Sequence, residues 1–272
     1  MVDRSKFIIG TGSWGSKINF DQAMILGNKL ILMGLNHFDT APNYGSGYSH
    51  YILNYLAKNN TVLVDTKYGQ DIKLSIKEIL KRIYRFKNFK SLNNSLKYIK
   101  FVNFNRTDKK FWSIEKLNEF LDSITKDLKY CKIKTIYLHC PPYGILNEDY
   151  LNNFTNLLEQ KNITPGISGP NIKDLELIVK NFPLIKLQLS LNTFWNEKTK
   201  IVNKTVNVNI NSILKTLHEN KTKNLNYNID FLENFEKILN ENKHYNIILG
   251  INSLNSIEKL SSILLNFKNI KK

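Results

Sequence analysis

Asn36-His-Phe-Asp-Thr-Ala-Pro-Asn-Tyr-Gly45 ends a short apolar run on an acid, Asp39, and follows it with a Pro- and Gly-containing loop that carries a phenol, Tyr44. Ionisable groups at the carboxyl end of a strand are where barrels and open parallel sheets keep their chemistry. Two further strand-like runs end in the same way. Thr61-Val-Leu-Val-Asp-Thr66 delivers Lys67, and Thr135-Ile-Tyr-Leu138 delivers His139-Cys-Pro-Pro.

Working outward from Asp39, a strand at Lys6 to Ile9 leads into Gly10-Thr-Gly12-Ser-Trp-Gly15, a literal G-x-G-x-x-G. In a dinucleotide fingerprint the third Gly lies inside the following helix. Here Gly15 is followed by Ser-Lys-Ile-Asn-Phe, and helical spacing of Ala23, Leu26, Leu30 and Met33 starts only near Asp21 and stops at Gly34. A Rossmann-type dehydrogenase built on Gly10 to Gly15 therefore ranks behind a barrel. The strand Leu35 to Asp39 comes next, and Ser49 to Ala57 reads as a helix with Ile52, Leu53 and Leu56 inward.

Beyond Lys67, residues 68 to about 112 form a basic excursion from the repeating pattern, with a helix expected at Ile76 to Phe86. Ser113 then caps a helix to about Leu128. The alternation resumes with a strand at Thr135 to Leu138, a helix at Asn147 to Gln160, a strand at Ile163 to Ile167, a helix at Ile172 to Asn181 and a strand at Ile185 to Leu191. After a poorly defined region come a strand at Thr205 to Ile210, a helix at Phe231 to Leu239, a strand at Asn246 to Leu249 and a helix at Ser256 to Leu265. About eight strands alternating with helices in 272 residues is the rhythm of a (β/α)₈ TIM barrel of the α/β class. No linker or shift in composition divides the chain, so a single domain over 1–272 is expected.

The hydrophobic content of 42% supports a folded core, and no run approaches the roughly 18 apolar residues that span a bilayer. With no secretory leader at its start, the chain reads as a soluble, cytoplasmic protein without a membrane partner. Cys131 and Cys140 give neither a disulfide framework nor metal-ligand spacing. The net charge of +16 is spread along the chain, and its densest patch, Lys81 to Lys100, interleaves Arg82, Arg85 and several lysines with Tyr84, Phe86, Phe89 and Tyr98. A solvated basic face accounts for that patch better than nucleic-acid binding does. An anionic ligand or phosphate-bearing substrate needs less charge and fits equally well.

Taken singly, Asp39 reads as a loop cap, Tyr44 as a rim aromatic, Lys67 as a surface charge and His139 as a satisfied histidine. Their recurrence after successive strands favours a shared site. A phenol with an ordinary pKa near 10 is a weak acid at neutral pH. A Lys ammonium beside it is expected to lower that pKa, an Asp would fix the Lys, and a His could orient a carbonyl oxygen. Such a set can protonate a carbonyl but has no hydride to give, which implies a reduced nicotinamide.

These residues resemble the aldo-keto reductases. Phe38-Asp-Thr-Ala-Pro-Asn-Tyr-Gly45 looks like the family's Asp-Thr-Ala…Tyr-Gly motif, Thr66-Lys67 its lysine strand, and Tyr137-Leu-His-Cys-Pro141 its histidine strand. Gly166-Ile-Ser168, Gln188 and Ile248-Leu-Gly250 resemble later barrel segments. The resemblance implies a NAD(P)H-dependent oxidoreductase that reduces an aldehyde or ketone, with a sugar-like carbonyl suggested by the basic excursion. It implies Tyr44 as general acid, Lys67 and Asp39 as its tuning pair and His139 as the orienting group. It also implies a cofactor pocket of Gly12, Ser13, Trp14, Asp39, Ser168, Gln188, Ser212, Leu214, Gly250 and Ser253. Gly169 stands where the family commonly has Asn, and Asn252 to Ser256 offer no Arg or Lys for a 2′-phosphate, so NADPH and NADH both remain as cofactors. The alternative is a catalytically silent barrel that serves as a binding or regulatory module.

Overall fold

Parallel strands need a crossover between them, and here each crossover that can be traced runs back over the outside of the sheet. The computed structural model describes residues 3–70, 109–197, 199–201, 204–209, 245–258 and 260–261. Its strands are β1 (Phe7–Gly10), β2 (His37–Asp39), β3 (Leu63–Tyr68), β4 (Lys132–His139), β5 (Thr164–Ser168), β6 (Lys186–Ser190), β7 (Val206–Asn209) and β8 (Tyr245–Gly250). Every neighbouring pair is parallel, and β8 pairs with β1 through Phe7–Ile247 to Gly10–Gly250, so the sheet closes in chain order. The expected (β/α)₈ barrel is the fold. A closed barrel excludes the Rossmann reading of Gly10 to Gly15.

The described helices are α1 (Phe20–Leu32), α2 (Tyr48–Leu56), α3 (Ile114–Asp127), α4 (Glu148–Glu159), α5 (Ile172–Asn181) and α6 (Leu191–Glu197). Their starts are written in side chains that accept from a free backbone N–H: Asn19 from Gln22, Ser113 from Lys116, Asn147 from Tyr150 and Asn171 from Lys173. Asn19 and Gln22 complete a reciprocal capping box, which explains why α1 begins only after the Gly15 turn. The buried faces are apolar, Leu117, Leu121 and Ile124 on α3 and Leu151, Phe154 and Leu158 on α4. Among the described residues no helix is long and apolar enough to cross a membrane.

Several bounds shift: β2 begins at His37 instead of Leu35, and β3 runs over Leu63–Tyr68 instead of Thr61 to Thr66, so that Lys67 lies within it. The strand expected to run from Ile185 to Leu191 ends at Ser190, whose hydroxyl accepts from the Thr193 N–H and starts α6 inside the region read as poorly defined. β4 begins at Lys132 instead of Thr135, because it extends along β3 from Leu63. The helices expected at Ile76 to Phe86 and Phe231 to Leu239, and most of the basic excursion, lie outside the described residues. The last expected helix is described at 254–258 and 260–261.

The points where the chain leaves β3 and returns toward α3 touch each other. Tyr68 stacks on Phe111 with ring centroids 5.1 Å apart, meets Trp112 at 5.7 Å, and donates its hydroxyl hydrogen to the Phe111 carbonyl. Gly69, at φ +117°, lies under the Trp112 ring, where an added Cβ would strike the indole. An aromatic clasp thus joins both ends of that crossover.

Alternation along the strands divides the side chains into two sets. Phe38, Val64, Ile136, Leu138, Leu187 and Val208 pack against the helices as part of the apolar core. His37 and Asp39, Asp65 and Lys67, Tyr137 and His139, Lys186 and Gln188, and Asn207 belong to the opposite set. Hydrogen bonds from β6 to β2, β7 to β3 and β7 to β4 (Gln188–Asp39, Asn207–Asp65, Asn207–Tyr137) can form only across the barrel interior.

Candidate active site

Asp39 is the last residue of β2, His139 of β4, Ser168 of β5 and Gly250 of β8, while Lys67 is the penultimate residue of β3. The strand register therefore delivers them to one end of the barrel, the carboxyl end. Lys67 Nζ lies 2.5 Å from Asp39 Oδ1 and donates to the Thr40 carbonyl at 3.1 Å. Both charged side chains are almost fully buried, at 1% and 3% exposure. An ion pair at that depth is held by geometry and additional hydrogen bonds, since desolvation opposes each charge.

Tyr44 sits in a 3₁₀ turn, Tyr44–Gly47, after β2. Its ring centroid is 4.8 Å from Lys67 Nζ, and its ring meets His139 edge-on, with centroids 6.4 Å apart and planes at 83°. The four side chains expected to converge are therefore brought together. The loop is held by close backbone approach: Gly45, at φ +53°, presses on Trp14, where an added Cβ would fall 1.9 Å from the carbonyl oxygen. Below it a hydroxyl junction links three elements. Ser49 Oγ lies 2.6 Å from Thr11 Oγ1 and 2.9 Å from Thr40 Oγ1, and Thr11 also donates to the Asp39 carbonyl.

The electrostatics differ from the expectation in one respect. Burial pushes the Tyr44 phenol above its usual pKa; the Lys67 ammonium pulls it down but does not prevail, because Asp39 offsets the Lys67 charge and itself disfavours the phenolate. Tyr44 thus keeps its proton at neutral pH. Burial also opposes the Lys67 charge, yet Asp39 and Tyr44 outweigh it and hold the ammonium above its ordinary value.

Of the other expected pocket residues, Gly12 lies beside Tyr44, an added Cβ falling 4.0 Å from Cε2. The Ser13 carbonyl accepts from the N–H groups of Lys17 and Ile18, closing the loop after β1. Trp14 departs from its expected place. Its indole is fully buried between Phe38, 5.7 Å away, and α1, with Nε1 donating to the Ile251 carbonyl at 3.1 Å. It lies on the outward, Phe38 side of the sheet and belongs to the core. Ser168 is buried, and its carbonyl accepts from Cys140 N–H at 2.7 Å. Ser253 is exposed and accepts from Ser256 N–H at 3.1 Å. Ser212 and Leu214 lie outside the described residues. Gly169 adopts φ +62° and faces Cys140, whose Sγ would lie 2.9 Å from an added Cβ, so this turn has no room for a larger side chain.

Sequence reasoning missed one contact and one network. Gln188 Nε2 donates to Asp39 Oδ1 at 2.9 Å, the oxygen that also receives Lys67. A second polar group lies deeper in the barrel: His37 Nε2 is 3.0 Å from Asp65 Oδ1, Asn207 Nδ2 is 3.3 Å from Asp65 Oδ2 and 2.7 Å from the Tyr137 hydroxyl, and Asn246 donates to Asn207 at 2.9 Å. The signal for both was the spacing of two in His37/Asp39, Asp65/Lys67 and Lys186/Gln188, which puts polar pairs on one face of each strand.

A parallel (β/α)₈ barrel with buried ionisable side chains at the carboxyl ends of its strands is the architecture of a barrel enzyme. The chain belongs to the aldo/keto reductase family, a family of oxidoreductases, whose model matches residues 6–247. Among solved structures it is similar to a glycerol dehydrogenase from Gluconobacter oxydans, with a TM-score of 0.65, 17% identity, and coverage of 96% of this chain and 86% of that one. It is similar also to the holo form of an aldo-keto reductase from Bacillus halodurans, with a TM-score of 0.64, 13% identity, and coverage of 95% and 86%. A thermostable aldo-keto reductase in complex with the inhibitor epalrestat has a TM-score of 0.60 at 15% identity, with coverage of 95% and 89%. No curated protein matches the sequence.

Proposed function

We propose that the protein is an NADPH- or NADH-dependent reductase that converts an aldehyde or ketone to an alcohol, with Tyr44 as the general acid. The observation that carries this reading is the buried Asp39–Lys67 pair set against a phenol that keeps its proton, with His139 at the edge of the same ring. The pocket also fits the carboxamide of a nicotinamide. Gln188 Oε1 is a buried acceptor without a hydrogen-bond partner among the described residues, and Ser168 stands beside Gln188 in the strand register. Bound there, a reduced nicotinamide supplies the hydride.

The chain's own residues do the rest. His139 orients the carbonyl oxygen toward Tyr44, and the phenol gives its proton to that oxygen as the carbon becomes an alcohol carbon. The phenolate left behind faces Lys67, whose positive charge stabilises it until a proton returns from solvent. Asp39 keeps Lys67 in place, and the Thr40 carbonyl takes a further ammonium hydrogen. Gly12, Ser13, Asp39, Ser168, Gln188, Gly250 and Ser253 are the described residues assigned to hold the cofactor.

The test is Tyr44→Phe. Turnover, followed as loss of nicotinamide absorbance with a panel of polar carbonyls, falls by about 10²–10⁴-fold while thermal unfolding is little changed. A variant with full activity removes Tyr44 from the acid role. Titration with NADPH and NADH separately precedes the screen. Binding of neither turns the reading toward a barrel that works as a binding or regulatory module.

A further inference from the structure

Gln188 lies on β6, four strands from β2 in the barrel, yet its amide reaches across to the Asp39 carboxylate. Asp39 Oδ1 therefore receives two donors from opposite sides, Lys67 Nζ at 2.5 Å and Gln188 Nε2 at 2.9 Å. At 4% exposure, Gln188 has almost no access to water. Its other end, Oε1, has no hydrogen-bond partner among the described residues, so Asp39 is the hydrogen-bond partner that the structure gives the amide.

We infer that Gln188 is a positioning residue for the Asp39–Lys67 pair, and that it ties occupancy of its idle Oε1 to the ammonium that faces Tyr44. The inference rests on the carbonyl-reductase reading for its catalytic consequence, but the contact with Asp39 exists independently of it. Two physical steps connect the ends. A donor placed on Oε1 polarises the amide and strengthens the bond its N–H makes to Asp39. Burial raises the Asp39 pKa and Lys67 and Gln188 oppose that rise, so a carboxylate that keeps both donors stays charged further into acid and holds Lys67 in one place. The ionisable groups acting on Asp39 are Lys67 and Asp65 from β3, Tyr137 from β4 and Tyr44 from the loop after its own strand. Of these only Lys67 attracts its negative charge, so the neutral Gln188 N–H is the second support that charge has.

The experiment compares wild type with Gln188→Met, which keeps the bulk and removes the donor, and Gln188→Glu, which keeps the shape and sets a second carboxylate against Asp39. Two quantities are read across pH 4–8: kcat at saturating nicotinamide cofactor, and urea unfolding of the ligand-free chain. For Gln188→Met, kcat falls about tenfold and its acid limb moves up by at least about half a pH unit. The stability deficit of the variant grows from acid to neutral pH, as Asp39 ionises without its second donor. Gln188→Glu moves the acid limb further in the same direction. An acid limb that stays fixed while only the cofactor KM rises, together with a stability deficit independent of pH, overturns the inference and leaves Gln188 as a cofactor contact alone. If wild type turns over no carbonyl, the functional reading fails and the unfolding series still decides the role of Gln188. Should Gln188→Met not fold, Gln188→Asn, whose amide is one carbon too short to reach Asp39, supplies the same two readouts.

Discussion

His50 illustrates how far a residue's chemistry depends on what surrounds it. It is fully buried on α2, with Nε2 3.1 Å from the Thr66 hydroxyl, and burial followed by the Lys67 charge pushes its pKa down from 6.5 to about 3. The unfolded chain takes up a proton at this residue below 6.5, whereas the folded chain does so only near 3. Folding stability is therefore full above 6.5 and is lost as pH falls through that window, by up to about 1.4 kcal/mol per pH unit. Urea unfolding from pH 7 to 3.5 measures the slope, and His50→Gln is expected to flatten it. Nothing in Tyr48-Ser-His-Tyr51 announces this burial, since depth is a property of the fold. Asp39, Tyr44, Lys67 and His139 were legible because each follows a strand-forming run. The upward shift of Tyr44 was not, because it depends on burial and on how completely Asp39 offsets Lys67.

At the scale of elements, the loop between β2 and α2 sets the position of Tyr44. Gly45 is required there twice over, by its φ of +53° and by the Trp14 carbonyl that a Cβ would strike. Gly45→Ala is expected to cost about 1–3 kcal/mol in chemical unfolding and to lower turnover further by displacing the phenol. Ser49→Ala, which leaves Thr11 and Thr40 without their shared partner, costs about 1–3 kcal/mol with the loop path kept. If Gly45→Ala proves no more harmful to turnover than Ser49→Ala, the loop does not govern Tyr44. The Asn19 cap of α1 was not picked out, whereas the start of α3 was readable from the Ser113 side chain that caps it. The start of α6 was not, because Ser190 ends a strand and opens a helix without an intervening turn. The three glycines of Gly10 to Gly15 matched a dinucleotide fingerprint by spacing, yet Gly10 lies within β1, Gly12 beside Tyr44, and Gly15 turns at φ +83° against Tyr48.

For the molecule as a whole, closure depends on what fills the barrel, and here much of the filling is polar. Asn207 is its hub, bonded to Asp65, Tyr137 and Asn246 from three other strands. Asn207→Leu leaves those buried groups without it and is expected to destabilise by about 2–5 kcal/mol, read as a lowered urea midpoint with unchanged slope. A loss below 1 kcal/mol would mean the network adds nothing to closure. The Asp65 carboxyl, opposed by burial but held below 3.8 chiefly by His37, adds stability that is present above 3.8 and lost as pH falls through its lower folded value. The order of strands was legible because strand-like runs alternate with helical ones along the chain, and a (β/α)₈ barrel closes in chain order. The spacing of two marked a polar face on these strands, but its pairings were not legible, since the partners lie far apart in sequence, as Asp65 and Asn207 do.

The aromatic clasp of Tyr68, Phe111 and Trp112 bears on how such a barrel can change over evolutionary time. Because the chain departs and re-enters at touching points, the clasp holds the two ends of the span 71–108 together beside β3, whose register with β4 runs from Leu63–Lys132 to Tyr68–Leu138. Loop-closure entropy rises only by about 0.6 kcal/mol per doubling of length, so a change in the length of a span whose ends are already joined costs little in closure entropy. The clasp makes this crossover a socket: sequence of a new length can be joined next to Lys67 through ends that the barrel already holds together.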